Sequence, residues 1–207
     1  MKSYLGQHFL VNRRAVQKII AALELKSGDT IIEIGPGRGA LTIPLGERCQ
    51  KIGCKVVAIE KDRRLKETLR NTVEIHKNKV EIIEGDALKI LLNLTSHVSP
   101  LTSYKVVGNI PYYITGRLLR VLSELENKPQ LIVLTLQKEV AERITAQPPK
   151  MNLLAAITQF WSEPKIIAAL KPEDFSPPPK VESGVITLTP INADDKQINA
   201  ENYYRFV

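Results

Sequence analysis

Four turns of this sequence carry side chains able to do chemistry, and each follows a short apolar run. In "EIGPGRGA", residues 33 to 40, Gly35 and Gly37 permit positive φ and close backbone approach, so a ligand can lie against the main chain near a helix N-terminus. With Ala40 they match the relaxed dinucleotide-binding pattern, a weak signal by itself. Glu60 closes "KVVAIE", where a carboxylate can accept two hydrogen bonds from a ribose diol. Asp86, in "EGDAL", is placed to accept from an adenine amino group. Either acid alone also reads as the cap of the helix behind it. At the carboxyl ends of successive strands, these turns together outline a nucleoside-shaped pocket at the point where strand order reverses.

The fourth turn, "NIPYYIT" at 109 to 115, follows the strand-like "YKVV". It separates two ligands that such a pocket suits, a nicotinamide dinucleotide and S-adenosylmethionine. The exocyclic amine of adenine is a poor nucleophile because its lone pair is delocalised into the ring. To attack a sulfonium methyl it must be oriented, and its protons must find acceptors. Asn109 offers a side-chain carbonyl oxygen. The backbone carbonyl of Ile110, restricted by the following Pro111, offers a second. Tyr112 offers a face on which a base can stack. The turn therefore suits an amino group on a flat heterocycle.

The elements that must hold these turns alternate along the chain. "NRRAVQKIIAALEL" carries Val16, Ile19, Ile20 and Leu23 at helical spacing, with Asn12 placed as N-cap. "DTIIEIG" reads as a buried strand, "ALTIPLGERC" as a helix and "KVVAIE" as a strand again. "DRRLKETLRNTV" is helical, while "KVEIIEGD" and "YKVVGN" are strands. "TGRLLRVLSEL" is a helix capped by Thr115, followed by the strand "QLIVLTLQ" and the helix "KEVAERIT". A helix from Asn152 to Trp161, an extended "KIIAAL" and a final strand "GVITLTP" complete the run. Strands separated by helices predict an α/β, Rossmann-like, doubly wound parallel sheet, because parallel neighbours need crossover connections. The Pro-rich "FSPPPK" at 175 to 180 is too short for a linker, and the tail "NADDKQINAENYYRFV" reads as a polar linker entering a helix.

At 207 residues the chain can form one substantial domain. Its formal net charge of +7 favours an anionic partner, with nucleic acid the first candidate. A structural zinc site needs about four ligands. Here Cys49 and Cys54 have no second Cys or His pair near them, and His8, His76 and His97 are scattered. No metal is expected, and both cysteines read as reduced packing residues of a cytosolic protein. The N-terminal "MKSYLGQHFLVNRR" has no run apolar enough for a signal peptide, and nothing later reaches transmembrane length. The expectation is a soluble, cytoplasmic protein without a membrane partner.

The sequence resembles the ribosomal RNA adenine dimethyltransferases that act on the small ribosomal subunit. The resemblance runs through "LGQHFL", "EIGPGRGALT", "AIEKD", "EGDAL", "GNIPYYIT" and "LQKEVAERI" to "FSPPPKVESGVITLTP". It implies a seven-strand S-adenosylmethionine-dependent sheet, parallel except for the last strand, with helices on both faces over residues 1–190. It also implies transfer of two methyl groups to each of two adjacent adenosines near the 3′ end of small-subunit RNA. By position, His8, Leu10 and Gly37 fall at the donor pocket, with Gly35 along its methionine portion. Glu60 falls at its ribose, Asp86 at its adenine, and Asn109, Ile110, Pro111 and Tyr112 at the target base. Phe175 falls opposite Tyr112 as the second face of an aromatic clamp.

Two departures from the family pattern stand out. His8 occupies a position where the family usually carries Asn, and the family continues into a helical C-terminal domain of which residues 191–207 would be only the linker and the start. Arg13, Arg14, Lys18, Lys138, Arg143, Lys150 and Lys180 are candidates, as a set, for phosphate contacts to small-subunit RNA or its precursor subunit. A monomer is expected. Related large-subunit adenine methyltransferases of the macrolide-resistance type share "NIPY", but the triple proline and "LQKEV" favour the small-subunit group. A DNA adenine methyltransferase and a non-catalytic ribosome-assembly factor on the same fold are the further alternatives.

Overall fold

A computed structural model describes residues 7–76, 80–93 and 103–191. "TIIEI" becomes β2 (Thr30–Ile34), and every one of its residues is buried. A strand covered on both faces reads as a near-continuous apolar run and not as an alternation. Around it lie β3 (Lys55–Glu60), β4 (Val80–Glu84), β5 (Tyr104–Asn109), β6 (Leu131–Gln137), β7 (Ser162–Leu170) and β9 (Ser183–Pro190). These form a seven-stranded sheet in the order β4-β3-β2-β5-β6-β9-β7. The pairs from β4 to β6 are parallel, and β9 runs antiparallel to both β6 and β7. Only the last strand is therefore reversed, as the resemblance implies.

Helices α1 (Arg13–Ala22), α2 (Thr42–Ile52), α3 (Arg63–Ile75), α4 (Ala87–Leu92), α5 (Thr115–Glu124), α6 (Lys138–Ile144) and α7 (Leu153–Trp161) connect the strands. Successive strand side chains point to opposite faces, and the core divides accordingly. Ile31 and Val107 join Val16, Ile19, Leu45 and Cys49 of α1 and α2 in one apolar cluster. Ile32 and Val106 join Leu118, Leu122, Ile144 and Trp161 of α5, α6 and α7 in the other. Asn12 caps α1 as expected, accepting from the Arg14 and Ala15 N–H groups at 2.8 and 3.2 Å.

Thr115 does not cap α5. It is the first helical residue, preceded by Ile114 without a side-chain cap bond, because the turn Tyr112–Ile114 enters the helix directly as a 3-10 turn. Cys49 and Cys54 are not reduced packing residues but form a disulfide. The cause is local: α2 ends at Gly53 with φ +81°, and the N–H groups of Gly53 and Cys54 both return to the Cys49 carbonyl, folding Cys54 back onto the last turn. Two short strands also lie outside the pattern read from sequence. Phe9–Leu10 (β1) and Phe175–Ser176 (β8) pair antiparallel, tying the segment before α1 to the one before β9. The expected linker and helix start beyond residue 191 lie outside the described residues.

Candidate active site

The carboxyl ends of β2, β3, β4 and β5 meet around a cavity of about 430 Å³. It sits where the order turns from β3-β2 to β5-β6, the switch point at which open α/β sheets bind ligands. Gly35 and Gly37 form its turn after β2 with φ of +63° and +57°. At Gly37 the fit is also tight, since a Cβ would come within 2.9 Å of the Phe9 ring. The Arg38 guanidinium lies 4.6 Å from the Phe9 ring centroid, so β1 closes over the glycine turn.

Glu60 is 5% exposed at the end of β3. One carboxylate oxygen accepts from the Gly37 N–H at 3.1 Å and the other from the Asp62 N–H at 2.8 Å. A carboxylate has about four acceptor positions, so two remain for a ligand. The helix cap behind this strand is Asp62 and not Glu60. Asp86 does cap its helix, accepting from the Leu88 N–H at 3.1 Å, and it also pairs with Lys61 at 3.0 Å. Partial burial opposes its ionisation, but Lys61 and the Leu88 N–H outweigh that and hold its carboxyl below the usual range.

Asn109 ends β5 and donates from Nδ2 to the backbone carbonyl of His8 at 2.7 Å. A carbonyl can only accept, so the amide orientation is fixed and Oδ1 is its remaining acceptor. Ile110 is 2% exposed and its N–H is bound to the Thr135 carbonyl, which anchors the turn to β6. Tyr112 is held through its hydroxyl, 2.8 Å from Ser183 Oγ. Gly35, Gly37, Glu60, Asp86, His8, Leu10, Asn109, Ile110, Pro111 and Tyr112 all line the one cavity.

Phe175 does not. It is 3% exposed, in register with Leu10 and packed in the cluster beneath α1. Pairing of β8 with β1 turns its ring inward and leaves Ser176 outward. The ring beside Tyr112 is instead His8, with centroids 6.1 Å apart and planes 29° from parallel. His8 Nδ1 lies 2.8 Å from the Pro177 carbonyl and must therefore carry the hydrogen. Among the basic set, Arg13, Arg14, Lys18, Arg143, Lys150 and Lys180 are exposed, whereas Lys138 is engaged with Glu182 at 2.6 Å.

Sequence reading missed Glu33. It is 1% exposed, lines the cavity, and burial pushes its carboxyl up to about 8. The Thr42 hydroxyl opposes that rise and the Glu60 charge adds to it. Even so, neither Glu33 Oε2 nor Thr42 Oγ1 has a hydrogen-bond partner among the described residues. The signal was present, since one acid interrupts the isoleucines of a wholly buried strand.

A family model described as ribosomal RNA adenine dimethylase matches residues 1–207. Proteins named Ribosomal RNA small subunit methyltransferase A are similar to this chain. One from Dehalococcoides mccartyi is 40% identical over 187 residues, covering 89% of this chain and 61% of that protein. One from Thermosynechococcus vestitus is 41% identical over 192 residues, covering 89% and 68%. The chain thus spans about three fifths of the length of the former. Among solved structures, a dimethyladenosine transferase from Plasmodium falciparum matches with a TM-score of 0.76 at 29% identity, over 96% of this chain and 66% of that one. The 23S rRNA methyltransferase ErmE matches with a TM-score of 0.77 at 26% identity, over 96% and 75%.

Proposed function

The chain belongs to the ribosomal RNA adenine dimethylase family, and from that premise we propose that it is the catalytic core of an S-adenosylmethionine-dependent enzyme that dimethylates N6 of two adjacent adenosines in small-subunit ribosomal RNA. The observation that carries the reading is Asn109. Its NH₂ is committed to the His8 carbonyl, so its Oδ1 faces chemistry as an acceptor beside Tyr112, in the same cavity as Glu60 and Asp86.

The residues present fit the donor. Glu60 retains acceptor positions for a ribose diol, Asp86 serves the adenine edge, and the Gly35–Gly37 turn gives backbone where a Cβ would collide. When bound, S-adenosylmethionine supplies an electrophilic methyl on sulfonium. The chain's own residues do the rest. Tyr112 stacks the target base, fixed by its Ser183 contact. In the first transfer Asn109 Oδ1 and the Ile110 carbonyl accept the two amino hydrogens, and in the second one of them accepts the single hydrogen left; this orients the nitrogen lone pair and stabilises the positive charge that grows on nitrogen, which is discharged each time by loss of one N–H proton to solvent. This is direct in-line transfer without a covalent enzyme intermediate or a metal.

The ErmE and dimethyladenosine transferase structures fit this chain about equally well, so the fold does not separate large-subunit from small-subunit targets. The names of the similar sequences favour the small subunit. The test is incorporation of labelled methyl groups into unmethylated small subunits, large subunits and DNA. Dimethyladenosine at two adjacent positions of small-subunit RNA is the expected product; label confined to large subunits or DNA would overturn the assignment.

A further inference from the structure

Beside the pocket for the target base stand two side chains that the methyl transfer above does not use. Tyr113 follows directly on Tyr112 and lines the same cavity, yet at 63% exposure it is the most exposed large apolar side chain among the described residues. Arg117 lines that cavity too and is exposed near the start of α5. The 3-10 turn Tyr112–Ile114 runs straight into α5, so the two residues, four apart, are neighbours on one side of a continuous helical surface.

Nothing in the fold accounts for either. Of the three lysine and arginine side chains that line the cavity, Arg38 lies over Phe9 and Lys61 pairs with Asp86, while Arg117 has no partner among the described residues. Its helical neighbours three and four positions away are Tyr113, Ile114, Arg120 and Val121. No acid stands among them, and Glu124 is already held by Arg120 at 2.8 Å. Gly116, between the ring and the guanidinium in sequence, is exposed, and a Cβ there would meet nothing within 4 Å. Glycine weakens a helix relative to alanine, and neither crowding nor a positive φ demands it here. The mouth of the base pocket thus carries an aromatic face, a stretch of bare backbone and an unpaired cation.

On the proposed reading, on which this inference rests, an adenine enters the pocket beside Tyr112. It leaves the stack of its own strand to do so, and the base next to it loses the face it was stacked on. Aromatic side chains replace such faces in single-stranded RNA, and the guanidinium fork matches the oxygens of a phosphate. We infer that Tyr113 and Arg117 form a subsite for the nucleotide next to the target, in which the Tyr113 ring stacks the neighbouring base and Arg117 binds the phosphate that joins the two nucleotides. With two adjacent adenosines in the substrate, one is held at Asn109 and Tyr112 while the other rests on Tyr113. Neither Tyr113 nor Arg117 touches the reacting atoms. Both are positioning residues, which hold the strand so that the amine meets the methyl in one orientation.

The two contacts leave different signatures in binding, which separates them from a structural role. The probe is a fluorescently labelled single-stranded RNA of adenosines only, titrated by anisotropy against the whole chain saturated with S-adenosylhomocysteine, across a series of salt concentrations. Tyr113→Ala should weaken binding about tenfold at every salt concentration, because stacking carries no charge. Tyr113→Phe should restore the affinity, since the ring and not the hydroxyl makes the contact. Arg117→Ala should instead flatten the slope of log affinity against log salt by about 0.7, the share of one phosphate contact on a single strand. Affinity for S-adenosylhomocysteine alone should be unchanged in all three variants. Binding of the RNA with unaltered affinity and slope in Tyr113→Ala and Arg117→Ala overturns the subsite, as does a Tyr113→Phe variant as weak as Tyr113→Ala, a fall in S-adenosylhomocysteine affinity in step with RNA affinity, or no binding of this RNA by the unaltered protein. The incorporation assay fails separately: the expected binding pattern without label in small subunits would overturn the proposed substrate and leave the subsite standing.

Discussion

Removing the charge option at Glu33 should make the ligand-free protein more stable at alkaline pH. The folded-state carboxyl lies near 8 against an ordinary value of 4.5, so between those limits the native state binds a proton that the unfolded chain has lost. Stability must then fall as pH rises through that window, by up to about 1.4 kcal/mol per pH unit. Below the unfolded value the group costs nothing through this route, and above about 8 the cost is complete. The full window corresponds to roughly 5 kcal/mol as an upper bound. Glutamine is neutral throughout and nearly isosteric. Glu33→Gln should therefore match the unaltered protein near pH 4 and exceed it increasingly toward pH 9.

For a domain of this size about 1 kcal/mol moves the midpoint by 2 to 4 °C, so even half of the bound is readable by thermal unfolding across a pH series. Other ionisable groups are common to both proteins and cancel in the difference. A constant difference between the two proteins from pH 5 to 9 would refute the reasoning, since it would mean that Glu33 is ionised, and satisfied, in the free fold.

Three further outcomes follow from the site. Glu60→Ala should weaken S-adenosylhomocysteine binding by roughly 2 to 3 kcal/mol through loss of charge-assisted bonds; unchanged affinity by calorimetry in a folded variant would exclude a ribose contact. Asn109→Ala should leave that affinity nearly intact while slowing methyl transfer about a hundredfold or more, and a loss of donor binding in step with rate would make it a structural anchor for the His8 segment. Tyr112→Phe keeps the stacking ring but strands the buried Ser183 hydroxyl, so it should cost about 1 to 2 kcal/mol of stability with most activity retained, whereas Tyr112→Ala should also lose about 1 to 3 kcal/mol of base stacking in RNA binding.

Much of the scaffold was legible because the physics that builds it is periodic. Apolar runs such as "KVVAIE" and "LIVLTLQ" alternating with amphipathic helices leave a parallel sheet as the arrangement that covers both faces, and the turns at Gly35, Glu60, Asp86 and Asn109 then fall at one edge by topology. What escaped had no period to read. A two-residue strand such as β1 or β8 carries no alternation, so the ladder that buries Phe175 and brings His8 beside Tyr112 could be seen only once the chain had folded. The disulfide depends on a helix end folding back at Gly53, a feature of backbone geometry and not of cysteine spacing.

Glu33 is different, because its signal stood in plain view inside "TIIEI". A strand buried on both faces admits a carboxyl only at a free-energy cost that neighbouring groups must offset, and here the nearest charged neighbour is a second acid. Folding selects against such a residue unless something outside the chain rewards it. The same local inconsistency that makes Glu33 a poor choice for stability is therefore the reason to read it as part of the binding site.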